Sequence, residues 1–238
     1  MKKYSKRYNI LKEKLKNVQL ETLEGTVNLL KEHTNVKFDE TCNLSLKLGI
    51  DLKKNSQPVR GSVNLPNGSG KKIKVLVFAQ GEYVEKAKQA GADYVGGSDI
   101  IDKIKNGWLD FQSVIATPDM MKTIAPLGKI LGPRGLMPNP KTGTVTFEIE
   151  QIISEMKKGR EEFKMDKDGN IHLSVGKKSF SAKSLTENIM AAIKSIYNAK
   201  PQGAKGAYIK KAYVSFTMSP SLPLNINEIF QELKISNF

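Results

Sequence analysis

At 238 residues the chain is long enough for one large domain or two small ones with a substantial core, which excludes a short peptide or a coiled-coil rod. Hydrophobic residues at 39% and charged residues at 26% rule out a wholly disordered chain, and no apolar run approaches the roughly 20 residues of a membrane-spanning helix. Lys and Arg number 38 against 24 Asp and Glu, a formal net charge of +14 that favours a polyanionic partner, nucleic acid above all.

The first twenty residues are basic but lack the apolar stretch of a secretory signal, so export is not expected. Tyr4, Tyr8, Leu11 and Leu15 recur at helical spacing with lysines around them. That predicts a helix packed by this face, with a basic arm touching a partner as the alternative. Residues 22–33 read as a weak helix. Cys42, Leu44, Leu46, Leu48 and Ile50 then alternate with Asn43, Ser45, Lys47 and Gly49, the pattern of a strand with one wet face. After the turn-forming stretch 51–58 comes a short strand, VRGSVNL, closed by Pro66, Gly68 and Gly70.

The text then changes character. IKVLVF (73–78) is continuously apolar, as expected of a strand buried on both faces of a parallel sheet. Helical and strand text alternate from there: GEYVEKAKQAG, DYVGG, SDIIDKIKNG, SVIATP and MMKTIAPLGKIL, a doubly wound α/β pattern. Past Gly159, Glu161, Phe163 and Met165 alternate up to a DKDGN turn, and Ile171, Leu173 and Val175 alternate away from it, which predicts a hairpin. SLTENIMAAIKSIYNAK opens on a Ser184/Glu187 capping box and carries Leu185, Ile189, Ile193 and Ile196 on one helix face. AYIKKAYVSFTM reads as a further strand.

Residues 1–67 and 160–238 each hold too few elements to close a core alone. Together they make one α+β domain, into which a Rossmann-like α/β domain, 68–159, is inserted. Both crossings carry glycine flanked by lysine, Gly68 and Gly70 before Lys71 and Lys72, then Lys157 and Lys158 before Gly159, and suit a double-stranded hinge. Basic residues exceed acidic ones by 11 over 1–67 and 160–238 together, but by only 3 over 68–159. A polyanion site is therefore expected on the discontinuous domain.

Motifs for other chemistry fail on inspection. GSGKK at Gly68 lacks the first glycine and the hydroxyl of a nucleotide phosphate loop, and the turn after IKVLVF carries one glycine where a dinucleotide site needs three. Asp166, Asp168 and Gly169 resemble a truncated calcium loop and suit a hairpin turn better. Cys42 stands alone, and with His33 and His172 the only histidines, neither a zinc site nor a catalytic set can be assembled; no cofactor is expected. His172, on a strand surface, offers an imidazole for stacking. LGKILGPRGLMPNPKTGTV displays Lys129, Arg134 and Lys141 on a proline-stiffened loop, suited to cradling phosphate or simply to capping the inserted domain. That loop keeps a rival reading open, a nucleotide-dependent α/β enzyme; a nonspecific RNA chaperone is another.

Two stretches suit RNA directly. Lys37-Phe38-Asp39-Glu40-Thr41 puts a cation beside an aromatic at a strand entry, Phe38 being suited either to the core or to packing on sugar or base. Thr217-Met218-Ser219-Pro220 ends a basic strand with a hydroxyl, a flexible apolar side chain and a tight turn, fit for close approach to an RNA minor groove.

KFDET, VRGSVNLPNGSGK, LGPRGLMPNPKTGTV, DKDGNIHLSVGKKSF and FTMSP, in this order over nearly the whole chain, resemble the large-subunit ribosomal protein L-one family in its bacterial or organellar form. The resemblance implies a non-enzymatic protein of two domains, α/β and α+β, the Rossmann-like one inserted. It further implies binding to large-subunit rRNA in the mobile stalk near the tRNA exit site, with help in releasing deacylated tRNA, contacts to other ribosomal components, and repression of its own operon mRNA. The place implied is the cytoplasmic ribosome, or an organellar matrix or stroma. By motif, the RNA contacts would be Lys37, Phe38 and Thr41; Asp166, Lys167 and Gly169; and Thr217, Met218 and Ser219. The family usually has glycine where Ser219 stands, which puts a Cβ where the backbone would approach RNA.

Overall fold

The computed structural model describes residues 5–16, 22–33, 36–50, 58–201 and 206–233. Tyr4 and most of the turn expected over 51–58 lie outside them. The chain divides into two compact units, one built from 1–70 with 161–238 and the other from 71–160.

In the first unit, helices α1 (Lys6–Lys16) and α2 (Leu23–His33) precede strand β1 (Thr41–Leu48), the centre of a four-stranded sheet. β1 pairs antiparallel with β7 (Asn170–Lys177) on one side and with β8 (Ile209–Phe216) on the other, and short β9 (Leu222–Pro223) pairs beyond β8. Strict alternation in β1 buries Cys42, Leu44, Leu46 and Leu48 and leaves their neighbours half-exposed. The buried face packs with α2 and the long helix α8 (Ala182–Asn198), whose Leu185, Ile189, Ile193 and Ile196 are all buried. Helix α9 (Ile226–Glu232) adds Ile229 and Phe230 to the same core. In α1, Leu15 is buried and Tyr8 and Leu11 half-buried, so the helix packs by the face expected.

Two expectations are corrected here. The strands flanking DKDGN do not form a hairpin: β6 (Arg160–Lys164) pairs with β2 (Arg60–Asn64) in a separate two-stranded sheet, while β7 joins β1. Met165 N–H donates to the Val59 carbonyl at 2.9 Å, which carries the β2 pairing up to the turn. The turn is thus a corner between sheets. Helix α8 starts at Ala182, capped by Ser181, whose Oγ accepts from Ser184 N–H at 3.0 Å. Glu187 is drawn away from any capping role because its Oε2 accepts from Asn67 Nδ2 at 2.8 Å.

In the second unit, β3 (Val75–Phe78) lies between β4 (Tyr94–Gly96) and β5 (Ser113–Ala116) in a parallel sheet. All four β3 residues are buried because both faces are covered. Val75 and Val77 pack in the cluster of helix α7 (Ile149–Lys158) with Ile149, Ile153 and Met156, and Ala87 of α3 (Glu82–Gln89) joins them. Leu76 and Phe78 pack with Ile100, Ile101 and Ile104 of α4 (Ser98–Lys105) and with Met120, Ile124, Leu127 and Leu131. The expected helix over 120–131 is broken into short turns, including α5 (Met121–Ile124) and α6 (Gly128–Leu131), because Pro126 and Gly128 interrupt it.

Candidate nucleic-acid interface

The antiparallel register sets Cys42 opposite Phe216, so KFDET at the entry of β1 meets TMSP at the exit of β8. Thr41 N–H donates to Thr217 Oγ1 at 3.1 Å, and the Thr217 hydroxyl lies 3.4 Å from the Thr41 carbonyl it donates to. On the other edge Thr41 faces Lys177, whose ammonium donates to Thr41 Oγ1 at 2.9 Å. Lys37 is exposed. Phe38 and Met218 are 52% and 45% exposed, two large apolar side chains kept out of the core at the same end of the sheet. Phe38 is therefore a surface residue and not part of the core.

The carboxylates in KFDET face inward or sideways. Asp39 accepts from the N–H and hydroxyl of Ser179 at 3.0 and 2.8 Å. Glu40 is buried and accepts from Met218 N–H at 2.8 Å. Arg7 of α1 donates to the Met218 carbonyl at 3.4 Å. Ser219 folds its hydroxyl into its own turn, accepting from Phe216 N–H at 2.9 Å and donating to the Pro220 carbonyl at 2.9 Å. Ser219→Gly is therefore expected to lower stability by about 1 kcal/mol, the net worth of such a bond, read in a urea titration.

Asp166, Lys167 and Gly169 lie at the opposite end. Asn170 pairs with Lys47 near the exit of β1, and eight residues of strand separate the two groups by about 23 Å at ~3.3 Å per residue. Asp166 Oδ1 accepts from the N–H groups of Asp168 and Asn170 at 2.9 and 2.6 Å, and Oδ2 from Asn170 Nδ2 at 2.9 Å. Gly169 has φ +79°, and its carbonyl accepts from Leu48 N–H at 2.8 Å. Lys47 donates to the Asp168 carbonyl. The Asp166 carboxylate thus orders the turn, and Lys167 is exposed at its tip.

Desolvation pushes the Asp166 carboxyl up, but the Asn170 and Asp168 donors outweigh it and hold the group below its ordinary value. A carboxyl depressed in the folded state contributes stability above its unfolded pKa and loses it as pH falls through the folded one. The stability gap between wild type and Asp166→Asn is accordingly expected to be constant near neutrality and to shrink below the usual carboxylate range, as measured by thermal melts across acid pH.

Between the two ends runs the open face of the sheet. Asn43 lies between Ser174 and Ser215, Ser45 between His172 and Tyr213, and Lys47 between Asn170 and Lys211. His172 Nδ1 sits 3.0 Å from the Ser45 hydroxyl. Every side chain in these rows is exposed or half-exposed and polar or basic, so the face offers hydroxyls, amides, an imidazole and ammonium groups along its length. Among these residues, sequence reasoning assigned a contact to His172 alone. The wet half of the β1 alternation was the available signal, but only the pairing register shows which residues of β7 and β8 join it.

In the second unit the proline-rich loop is held by its own groups. Thr144 Oγ1 accepts from Asn139 N–H at 2.8 Å, Asn139 Oδ1 accepts from Lys141 N–H at 2.9 Å, and Arg160 donates to the Thr142 carbonyl at 2.7 Å. Arg134 and Lys129 are exposed on it. A cleft of about 730 Å³ beside β4 has a mixed lining that includes Asp99, Lys103 and Trp108. Among the described residues no cluster of His, Cys, Asp or Glu could hold a metal ion.

An α+β unit with a basic, hydroxyl-rich sheet face is built from two stretches of chain that flank an α/β unit in sequence, and the family that the chain matches is one of non-enzymatic ribosomal proteins. The chain belongs to the ribosomal protein L1p/L10e family, whose model matches residues 30–220. It is 52% identical over 228 residues to large ribosomal subunit protein uL1 of Fervidobacterium nodosum, covering 95% of this chain and 97% of that protein. The protein of the same name from Thermus thermophilus is 50% identical over 226 residues, covering 94% and 99%. That from Persephonella marina is 50% identical over 238 residues, covering 98% of each.

Proposed function

We propose that the chain is a structural protein of the large ribosomal subunit in the cytoplasm, and that it holds large-subunit rRNA on the open face of the four-stranded sheet. The observation that carries this reading is the junction of KFDET and TMSP through the Thr41–Thr217 hydrogen bonds, with Phe38 and Met218 exposed beside Lys37. Hydroxyls and a flexible apolar side chain suit sugar and minor-groove contact, and the lysines suit phosphate. Lys37, Phe38, Thr41, Thr217, Met218 and Ser219 form one end of this surface, and Asp166, Lys167 and Gly169 the other. The relatives' shared name, large ribosomal subunit protein uL1, supports the same reading.

The family resemblance extends the proposal to finer roles. The protein forms the mobile stalk near the tRNA exit site, the second unit swings on the two chain crossings and assists release of deacylated tRNA, and the protein represses translation of its own operon mRNA by binding a similar RNA site there. An organellar ribosome is the alternative location.

Footprinting the full chain on large-subunit rRNA tests the reading: protected nucleotides should crosslink to the sheet face, and crosslinks confined to residues 71–160 would overturn it. The logarithm of affinity should fall linearly with the logarithm of salt, and Lys37→Met should reduce that slope by about 0.7–0.9 if Lys37 neutralises one phosphate. An unchanged slope removes Lys37 from the interface.

A further inference from the structure

Glu40 is 0% exposed although it belongs to the motif that enters the interface. Its backbone carbonyl accepts from Lys178 N–H at 2.8 Å, just past the end of β7, and its side-chain Oε1 accepts from Met218 N–H at 2.8 Å, just past the end of β8. One residue therefore ties the entry of β1 to both neighbouring strands at the end where Lys37, Phe38, Thr41, Thr217 and Met218 gather.

The other carboxylate oxygen, Oε2, is buried and has no hydrogen-bond partner among the described residues. A desolvated carboxylate held by a single side-chain bond is a poor source of fold stability, because the loss of hydration exceeds what one bond returns. An apolar residue of similar volume would serve the core as well. It could not hold the Met218 N–H, and that group sits in an exposed turn with no strand partner beyond it.

Resting on the RNA-binding reading above, we propose that Glu40 is a positioning residue for RNA recognition: it touches no RNA, and through the Met218 amide it fixes the 217–219 turn so that the Met218 side chain is presented to the minor groove, the Thr217 hydroxyl being held separately by the Thr41 backbone. Fixing the turn beforehand removes an ordering cost from binding. The effect of Glu40 must then run through Met218 and disappear when that side chain is absent.

The test compares full-length wild type with E40L, E40Q, M218A and the double variant E40L/M218A, using filter binding to large-subunit rRNA transcribed in vitro against a scrambled RNA. Amide hydrogen exchange at residue 218 is read on the same proteins. In wild type the Met218 amide should exchange at least about tenfold more slowly than an unprotected one. E40L should lose that protection and about tenfold in affinity. E40Q keeps an acceptor oxygen and should restore both. In the M218A background, E40L should cost nothing further, whereas a general structural defect would cost the same in either background. Equal affinity of E40L and wild type, or equal loss in both backgrounds, overturns the assignment. So does free exchange of the Met218 amide in wild type, a readout that stands even if E40L fails to fold. Wild type that binds scrambled RNA equally well sinks the RNA reading and this proposal with it; wild type that prefers rRNA while E40L matches it sinks this proposal alone.

Discussion

Met218→Asp is expected to lower affinity for large-subunit rRNA by about a hundredfold, some 2.7 kcal/mol, with little change in the melting temperature. The side chain is 45% exposed, so the substitution removes little packing from the core. What it adds is a carboxylate where phosphates would approach, in a turn whose backbone N–H is already engaged by the buried carboxylate of Glu40. Loss of the apolar contact and like-charge repulsion act in the same direction. Phe147→Asp is the matched control: Phe147 is 49% exposed but belongs to the other unit. It should leave binding unchanged. If the two variants bind alike, the end of β8 is not at the interface, whatever the affinity of the wild type.

The core was more legible in the sequence than the surface. Alternation at Cys42, Leu44, Leu46 and Leu48 can only be satisfied by a strand with one buried face, and the uninterrupted VLVF of β3 only by a strand covered twice. Pairing partners were not legible. The residues on each side of DKDGN have hairpin alternation, yet β6 and β7 pair in different sheets because β2 and β1 offer separate edges. Helix α7, between the proline-rich loop and β6, lies outside the predicted elements, although Ile149, Ile152, Ile153 and Met156 repeat at helical spacing. Glu40 stands inside the KFDET motif with no mark of its own, since nothing in a single sequence distinguishes a solvated glutamate from one sealed under a turn. The site residues fell at two strand ends and one corner. Their types suggested RNA; their adjacency depended on register, a long-range property that local pattern does not encode.

The largest effect on stability is expected at Asn188, a polar residue on the apolar face of α8 between Leu185 and Ala192. It is fully buried. Its Nδ2 donates to the Gly68 carbonyl at 2.9 Å and to the Val175 carbonyl of β7 at 2.7 Å, and its Oδ1 accepts from Asn67 N–H at 3.0 Å. One side chain from the second stretch of the unit thus satisfies two backbone groups of the first, just where the chain leaves for residues 71–160. Asn188→Ala removes the partner of all three backbone groups, the Val175 carbonyl in the core and those of Asn67 and Gly68 nearer solvent; at about 1–3 kcal/mol for the unpaired buried carbonyl and ~1 kcal/mol for the other bonds together, the loss should be about 3 kcal/mol. Asn188→Asp should be no better, because a carboxylate would face two carbonyl oxygens. Urea unfolding measures the loss; a change below about 1 kcal/mol would mean that the first stretch is held by its apolar contacts alone. Below the transition, the folded fraction of Asn188→Ala should still bind rRNA at nearly wild-type affinity, since no interface side chain has changed. Met218→Asp and Asn188→Ala then form a pair in which one alters recognition and spares the fold while the other does the reverse, as expected if the wet face of β1 carries the function and its dry face joins the two stretches of chain.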